Sequence, residues 1–202
     1  MMETTSFYAR RSGLILGFHG TDERTLNDIV LQKCEMKSSN NPWDWIGHGA
    51  YFWEHSPSRA LEFAEEVSRR SKPIIRKPAV PGAVMELGYC LDLLDYKNLV
   101  LLKEIYRGLY ANNSVILRRN RPVPGDHSGE LLLRYMDCEV IETFHRLQRD
   151  LNLPPFDSVK AVFWEGDLLY PNAGFREKNH IQICIRNPDC IKGFFIPKSH
   201  RA

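Results

Sequence analysis

The apolar residues of this chain come in short runs, each stopped by glycine, proline, asparagine or aspartate, and this punctuation limits the fold to short elements packed around a sheet. Leu14 to Phe18 is bounded by Gly13 and by Gly20-Thr21-Asp22, the mark of a buried strand ending in a turn. Ala50 to Trp53 reads as a second strand, and Ala83 to Leu87 as a third that continues through Cys90 to Leu93. Ser158 to Trp164, Ile181 to Arg186 and Ile191 to Ile196 are strand-like again, the last two joined by Asn187-Pro188-Asp189. Between these runs the apolar period lengthens to that of a helix. Thr25 as a cap, with Asp28 at the capping-box position, predicts a helix through the Lys33 region. Ser56 before Pro57 predicts another to about Arg70. Tyr96 to Tyr110 and Leu131 to Leu151 show i, i+3, i+4 recurrence, separated by the polar stretch from Asn112 to Gly129. Strands toward both ends of the chain with helices between them predict an α+β fold.

At 202 residues the chain is expected to form one domain over 1–202, burying about 70% of its unfolded surface without a disulfide or metal staple. No apolar run approaches the roughly 18 to 20 residues that span a bilayer. The first residues, MMETTSFYARRSG, lack a signal-like apolar region, so a cytoplasmic protein without a membrane partner is expected. Cys34, Cys90, Cys138, Cys184 and Cys190 are odd in number and include no CxxC pair, which predicts buried free thiols. A net charge of +2 neither demands nor excludes a nucleic-acid partner.

Two segments stand out: Phe18-His19-Gly20-Thr21 at a strand end, and Gly47-His48-Gly49-Ala50-Tyr51-Phe52 followed by Ser56, Ser58 and Ala60. Each alone is a weak signal, and the second is no Rossmann fingerprint, because it opens no phosphate-binding helix. In this order they resemble the nicotinamide-binding part of the ADP-ribosyltransferase fold in its His-Tyr-Glu branch, which includes the diphtheria-toxin-like and poly(ADP-ribose) polymerase enzymes. The resemblance covers roughly residues 14 to 67 and is looser beyond them. Asn41-Pro42-Trp43-Asp44-Trp45-Ile46-Gly47 and Asn179-His180-Ile181-Gln182-Ile183 are similar to a bacterial subgroup in which several members are toxins of toxin-antitoxin or antiphage systems. The resemblance implies a split antiparallel sheet with flanking helices that clasps NAD. It further implies NAD as substrate, no metal, transfer of one ADP-ribose to a macromolecule (RNA, DNA or protein), and an antitoxin protein as a possible partner.

The chemistry accounts for the residue types. Breaking the nicotinamide–ribose bond passes through an oxocarbenium-like state, so the site must hold the ring, fix the ribose and leave the sugar open to a nucleophile. By resemblance, His19 bonds the adenosine ribose and Gly20 offers its backbone to the carboxamide, unobstructed by a side chain. Tyr51 stacks on nicotinamide, and Thr21, Gly49, Phe52 and Ser58 complete the cofactor site. The third member departs from the pattern, because the strand that supplies the glutamate in the family carries no acid here. Strand alternation puts His180, Gln182 and Cys184 on one face. Gln182 occupies the glutamate position; Glu177, before that strand, and Glu165, at the end of the preceding one, are the alternatives, and both flank a loop that in the family selects the target. Competing readings are a module that binds NAD or ADP-ribose without catalysis, a glycohydrolase that only consumes NAD, and a protein-interaction subunit with a vestigial cleft.

Other residues have plainer readings. Trp43, Trp45 and Trp53 divide between site cover and core. His48 and His55 lack the Cys or carboxylate spacing of a zinc set. Asp137 and Glu142 read as solvated helix charges. Arg69, Arg70, Lys72, Arg76 and Lys77, then Arg118, Arg119 and Arg121, read as solvated loop faces, or as phosphate contacts with Tyr110 or Trp43 stacking on unpaired bases.

Overall fold

A computed structural model describes residues 13–111, 118–125 and 129–198. The N-terminal segment used above for localisation and parts of the polar stretch after Ala111 lie outside the described residues. The chain runs β1 (Ile15–Phe18), β2 (Thr21–Asp22), α1 (Glu23–Val30), β3 (Ala50–Glu54), α2 (Pro57–Ser68), β4 (Pro78–Ala79), β5 (Gly82–Met85) and β6 (Cys90–Asp92). It continues through α3 (Tyr96–Ala111), α4 (Tyr135–Asp150), β7 (Ser158–Phe163), β8 (His180–Ile185), a 3₁₀ turn at Pro188–Cys190, and β9 (Ile191–Phe195). Seven strands form one sheet in the order β6-β7-β8-β3-β1-β5-β9, and β2 pairs with β4 separately. The architecture is therefore mixed α and β. Every neighbour in the large sheet is antiparallel except β6 with β7, so the sheet is mixed and not wholly antiparallel as expected. Parallel neighbours need a long crossover, and α3 and α4 lie between β6 and β7 in the chain.

Ala83 to Leu93 does not form one continued strand. Gly88 takes a left-handed φ of +59°, and a Cβ there would meet Asp157 Oδ2 at 2.4 Å. The chain breaks at this point and delivers β5 and β6 to distant places in the sheet, five positions apart. On a flat sheet that separation is about 24 Å at ~4.8 Å per strand. The five residue steps from Met85 to Cys90 reach only about 17 Å. The sheet must curl. The concave face accordingly brings Ala83 and Met85 of β5, Cys90 of β6, Ala50 and Phe52 of β3 and Ile183 and Ile185 of β8 into a single buried cluster.

The convex face is covered by helices. α4 lays Ile141 over Leu91, Val159, Ala161 and Cys184, with Ile46 and Phe156 completing the layer. α2 lays Ala60 and Phe63 over Phe18 and Trp53. Pro57 opens α2 as its sequence predicts, although the Ser56 side chain makes no cap bond. α1 is capped by Asp22 and not Thr25: Asp22 accepts from Arg24 N at 3.1 Å, and also from Arg76 N at 2.7 Å and Lys77 N at 3.0 Å, which ties the helix start to the β4 segment. The helix stops at Val30, and Gln32 follows in a left-handed conformation, so it does not reach Lys33. α4 starts four residues later than the apolar period suggests, because Asn120 Oδ1 accepts from Met136 N at 2.8 Å and terminates it from a distant loop. Cys138, Cys184 and Cys190 are buried free thiols and Cys90 is buried, whereas Cys34 is exposed. Among the described residues no helix is long and apolar enough to cross a membrane.

Phe52 is fully buried at the centre of the concave cluster. Phe52→Ala is expected to lower stability by about 3–5 kcal/mol, read as a drop in the urea midpoint with little change in slope.

Candidate functional site

β1 and β3 stay paired for only two described positions, Gly17 with Glu54 and Phe18 with Trp53, and then part. His19 stands at the parting. Its backbone N–H donates to Pro81 O at 3.1 Å on the β5 side, while its Nδ1 lies 2.8 Å from Tyr51 O on the β3 side. A carbonyl only accepts, so Nδ1 carries the proton and Nε2 is left as an acceptor. Burial lowers the His19 pKa, which keeps the ring neutral and that lone pair available near pH 7. Gly20 follows against α2: a Cβ there would sit 2.2 Å from Ala60 O, so only glycine permits this approach. Thr21 is buried in β2 opposite Ala79, and Ser58 is exposed in the first turn of α2.

Tyr51 reaches beneath the 43–47 loop. Its hydroxyl donates to Gly47 O at 2.7 Å and accepts from Ile46 N at 3.1 Å. Burial raises its pKa, so it stays protonated. The ring packs against the convex cluster, whereas Phe52 points into the concave core with its ring 6.0 Å from that of His19. Gly49 passes so close to β8 that a Cβ would lie 2.5 Å from Ile185 O. The same loop is fixed by Glu142, which is no solvated charge. Its Oε1 accepts from Arg186 Nη1 at 2.6 Å and from His48 N at 2.8 Å, and Arg186 Nη1 also donates to His48 O at 2.9 Å. Burial raises the Glu142 carboxyl, but the hydrogen bonds from Arg186 and the His48 amide outweigh it and hold the group below its ordinary range.

Cross-strand register places Tyr51, Trp53, Gln182 and Cys184 on the convex face, with His180 further along β8. Gln182 lies directly opposite Trp53, half-buried. Glu177 is exposed in the β7–β8 loop, where its backbone N–H donates to Asp167 O at 3.0 Å. Glu165 is buried and meets Arg59 of α2, Nη2 to Oε2, at 3.2 Å, with His180 Nδ1 at 4.0 Å. Burial raises the Glu165 pKa, and Arg59 opposes that rise. Arg59 and His180 thus join a site in which sequence reasoning gave them no role, together with Trp53, which the sequence left open between site cover and core. Arg59 reads as a surface position in a small-residue helix, and only its place one turn after the Ser56-Pro57 start hinted at proximity to β3.

The polar atoms of this cluster are incompletely partnered. Trp53 Nε1, Arg59 Nε, Arg59 Nη1 and His180 Nε2 are all buried without a hydrogen bond, an uncommon state for buried polar atoms. The His180 Nδ1–H donates to Lys178 O at 2.7 Å, which leaves Nε2 as an acceptor, and burial lowers the ring's pKa to about 4. Aromatic rings run from this cluster to the Trp loop: His180 stacks on Phe163 at 5.5 Å, and Phe163 meets Trp45 at 4.5 Å. Trp45 is half-buried, with its Nε1 donating to Leu132 O at 2.8 Å; Trp43 is partly exposed against Tyr135, and Trp53 is core. Arg118 and Arg121 stack on Tyr135 at 3.9 and 5.2 Å.

Two cavities open away from His19. One of about 340 Å³ is apolar and lies between α3, α4 and the sheet, beneath Leu99, Leu102 and Phe163. The other, of about 550 Å³, is polar and lined by His48, Glu142, Arg149, Asp157 and Arg186. Among the described residues no three His, Cys, Asp or Glu side chains come together as a metal set. Comparison with family models, with curated proteins and with solved structures finds no match for the chain.

Burial holds both His180 and His145 near a pKa of about 4, against an ordinary value of 6.5. The unfolded chain therefore binds more protons between these values, and stability present above pH 6.5 is lost as the pH falls toward 4. Denaturant midpoints measured from pH 7 to pH 4 are expected to fall, and less steeply in His180→Gln and His145→Gln; an unchanged slope in both variants contradicts these assignments.

Proposed function

We propose that the chain is an NAD-dependent ADP-ribosyltransferase that attaches a single ADP-ribose to a macromolecule, RNA, DNA or protein, in the setting of a toxin or antiphage system with an antitoxin as partner. The observation that carries the reading is the junction of its two motif segments: His19 and Tyr51 are joined by the 2.8 Å hydrogen bond at the point where β1 and β3 part, with Gly20 pressed on α2 beside them. A neutral imidazole with Nε2 free to accept suits a ribose hydroxyl. In this reading NAD is substrate and no metal is required. Nicotinamide departs as a neutral leaving group, and preorganised hydrogen bonds hold the ribose while positive charge develops at C1.

The absence of an acid on β8 favours a second reading, a module that binds NAD or ADP-ribose without chemistry. The two are separated by incubating the protein with labelled NAD and cell lysate, then dividing the product into protein, RNA, DNA and small-molecule fractions. Transferase activity places label in one macromolecular fraction. His19→Ala is expected to lower that labelling by on the order of 100- to 1000-fold while the protein stays folded. Binding of NAD without nicotinamide release selects the module, free ADP-ribose as sole product selects a glycohydrolase, and no binding at millimolar NAD refutes the nicotinamide-site reading.

A further inference from the structure

Resting on the transferase reading, we infer that Glu165, held in place by Arg59, is the carboxylate that serves the transfer step in place of an acid on β8. Glu165 is far from Gln182 along the chain, yet β7 and β8 are antiparallel neighbours, and the end of β7 returns its carboxylate to the start of β8, 4.0 Å from His180. Glu165 therefore lies beside the face that carries Tyr51, Trp53 and Gln182, whereas Glu177 is exposed in the loop. Gln182 can orient a ribose hydroxyl but takes up no proton and supplies no negative charge. Glu165 does both.

The step balances as follows. The C1–N bond to nicotinamide breaks with its electron pair, and nicotinamide leaves neutral. A lone pair of the acceptor's O–H or N–H group forms the new bond to C1, and the proton of that group passes to the Glu165 carboxylate and from there to water. Around the carboxylate, Trp53 Nε1 and Arg59 Nε are buried donors without a hydrogen bond and His180 Nε2 is a buried acceptor, while Arg59 Nη1 faces the Glu62 carboxylate at 3.5 Å.

Arg59 is a positioning residue. Its guanidinium is nearly buried, pairs with Glu165 at 3.2 Å and with Glu62 at 3.5 Å, and lies 5.7 Å from the Trp53 ring. The other charged or titratable groups that act on Glu165 are Glu130 from the 118–134 segment, Lys178 from the β7–β8 loop, and His180 of β8. Among them Arg59 is the strongest influence favouring the carboxylate against the effect of burial.

The test uses the full chain and measures NAD affinity by calorimetry and transfer to the labelled fraction as a function of pH. Glu165→Gln is expected to keep NAD affinity within about threefold and to lower the transfer rate by on the order of 100-fold or more. Arg59→Ala is expected to move the acid limb of the rate profile to higher pH, because the carboxyl then titrates later, and Arg59→Lys to return it toward the parent position. Transfer at the parent rate in folded Glu165→Gln, or an acid limb unmoved by Arg59→Ala, overturns the assignment. If Glu165→Gln fails to fold, the two Arg59 variants decide by the acid limb alone. Failure of the parent protein to bind NAD refutes the underlying transferase reading instead, and is seen before any variant is made.

Discussion

The connection from Met85 to Cys90 is too short for a flat sheet, and the shape of the protein follows from that mismatch. β5 and β6 stand five positions apart in the strand order, so the sheet closes toward itself until the chain can bridge the gap. Curling divides its two faces into different environments. The concave face becomes a closed apolar interior around Phe52, Met85 and Ile183, all fully buried. The convex face is left for helices, and no one helix covers all of it. α4 packs over Cys184 and Val159, α2 over Phe18 and Trp53, and the candidate site residues lie at the boundary between these two clusters.

A second constraint acts at His19. Two neighbouring strands that part leave backbone groups without their ladder partners, and buried groups of that kind must be satisfied from elsewhere. The imidazole takes Tyr51 O, and Pro81 O takes the His19 amide. The opening is thus held by a side chain with its second ring nitrogen still free to bond. Glycine at position 20 then lets α2 approach to backbone contact, and the Tyr51 hydroxyl secures the 43–47 loop on the other side. The loop is fixed again from behind by Arg186 and Glu142.

Charge burial marks the same region. Carboxylates removed from water are costly unless paired, and a paired one left with unsatisfied neighbours is costlier than an apolar core. Glu142 is fully engaged: Arg186 meets it with both terminal nitrogens, at 2.6 and 3.3 Å, and the His48 amide completes its shell. Glu165 and Arg59 are not so complete, since Arg59 Nε and the neighbouring Trp53 and His180 ring nitrogens make no hydrogen bond, and Arg59 Nη1 has only the Glu62 carboxylate at 3.5 Å. The contrast separates a charge pair that builds the fold from one whose polar capacity is unfilled in the protein alone.

What the sequence determined by itself is local. The strands around Gly17, Phe52, Val159, Ile183 and Gly193 and the helix after Pro57 appear within a residue or two of where alternation and punctuation put them, because those signals act over a few neighbouring residues. The segments carrying His19 and Tyr51 were legible for the same reason, as short motifs at strand ends. The break at Gly88 was harder to see, since an apolar run on either side of Gly-Tyr looks continuous until Asp157 is placed against it. The capping of α4 by Asn120, the anchoring of the Trp loop by Glu142 and the pairing of Arg59 with Glu165 join residues 16, 94 and 106 positions apart. No periodicity spans such distances. The burial that moves the pKa values of His19, His180 and Glu165, and that turns an ordinary helix arginine into a partner for a loop acid, arises only when separate elements exclude water from a common space, and that was decided by the tertiary structure alone.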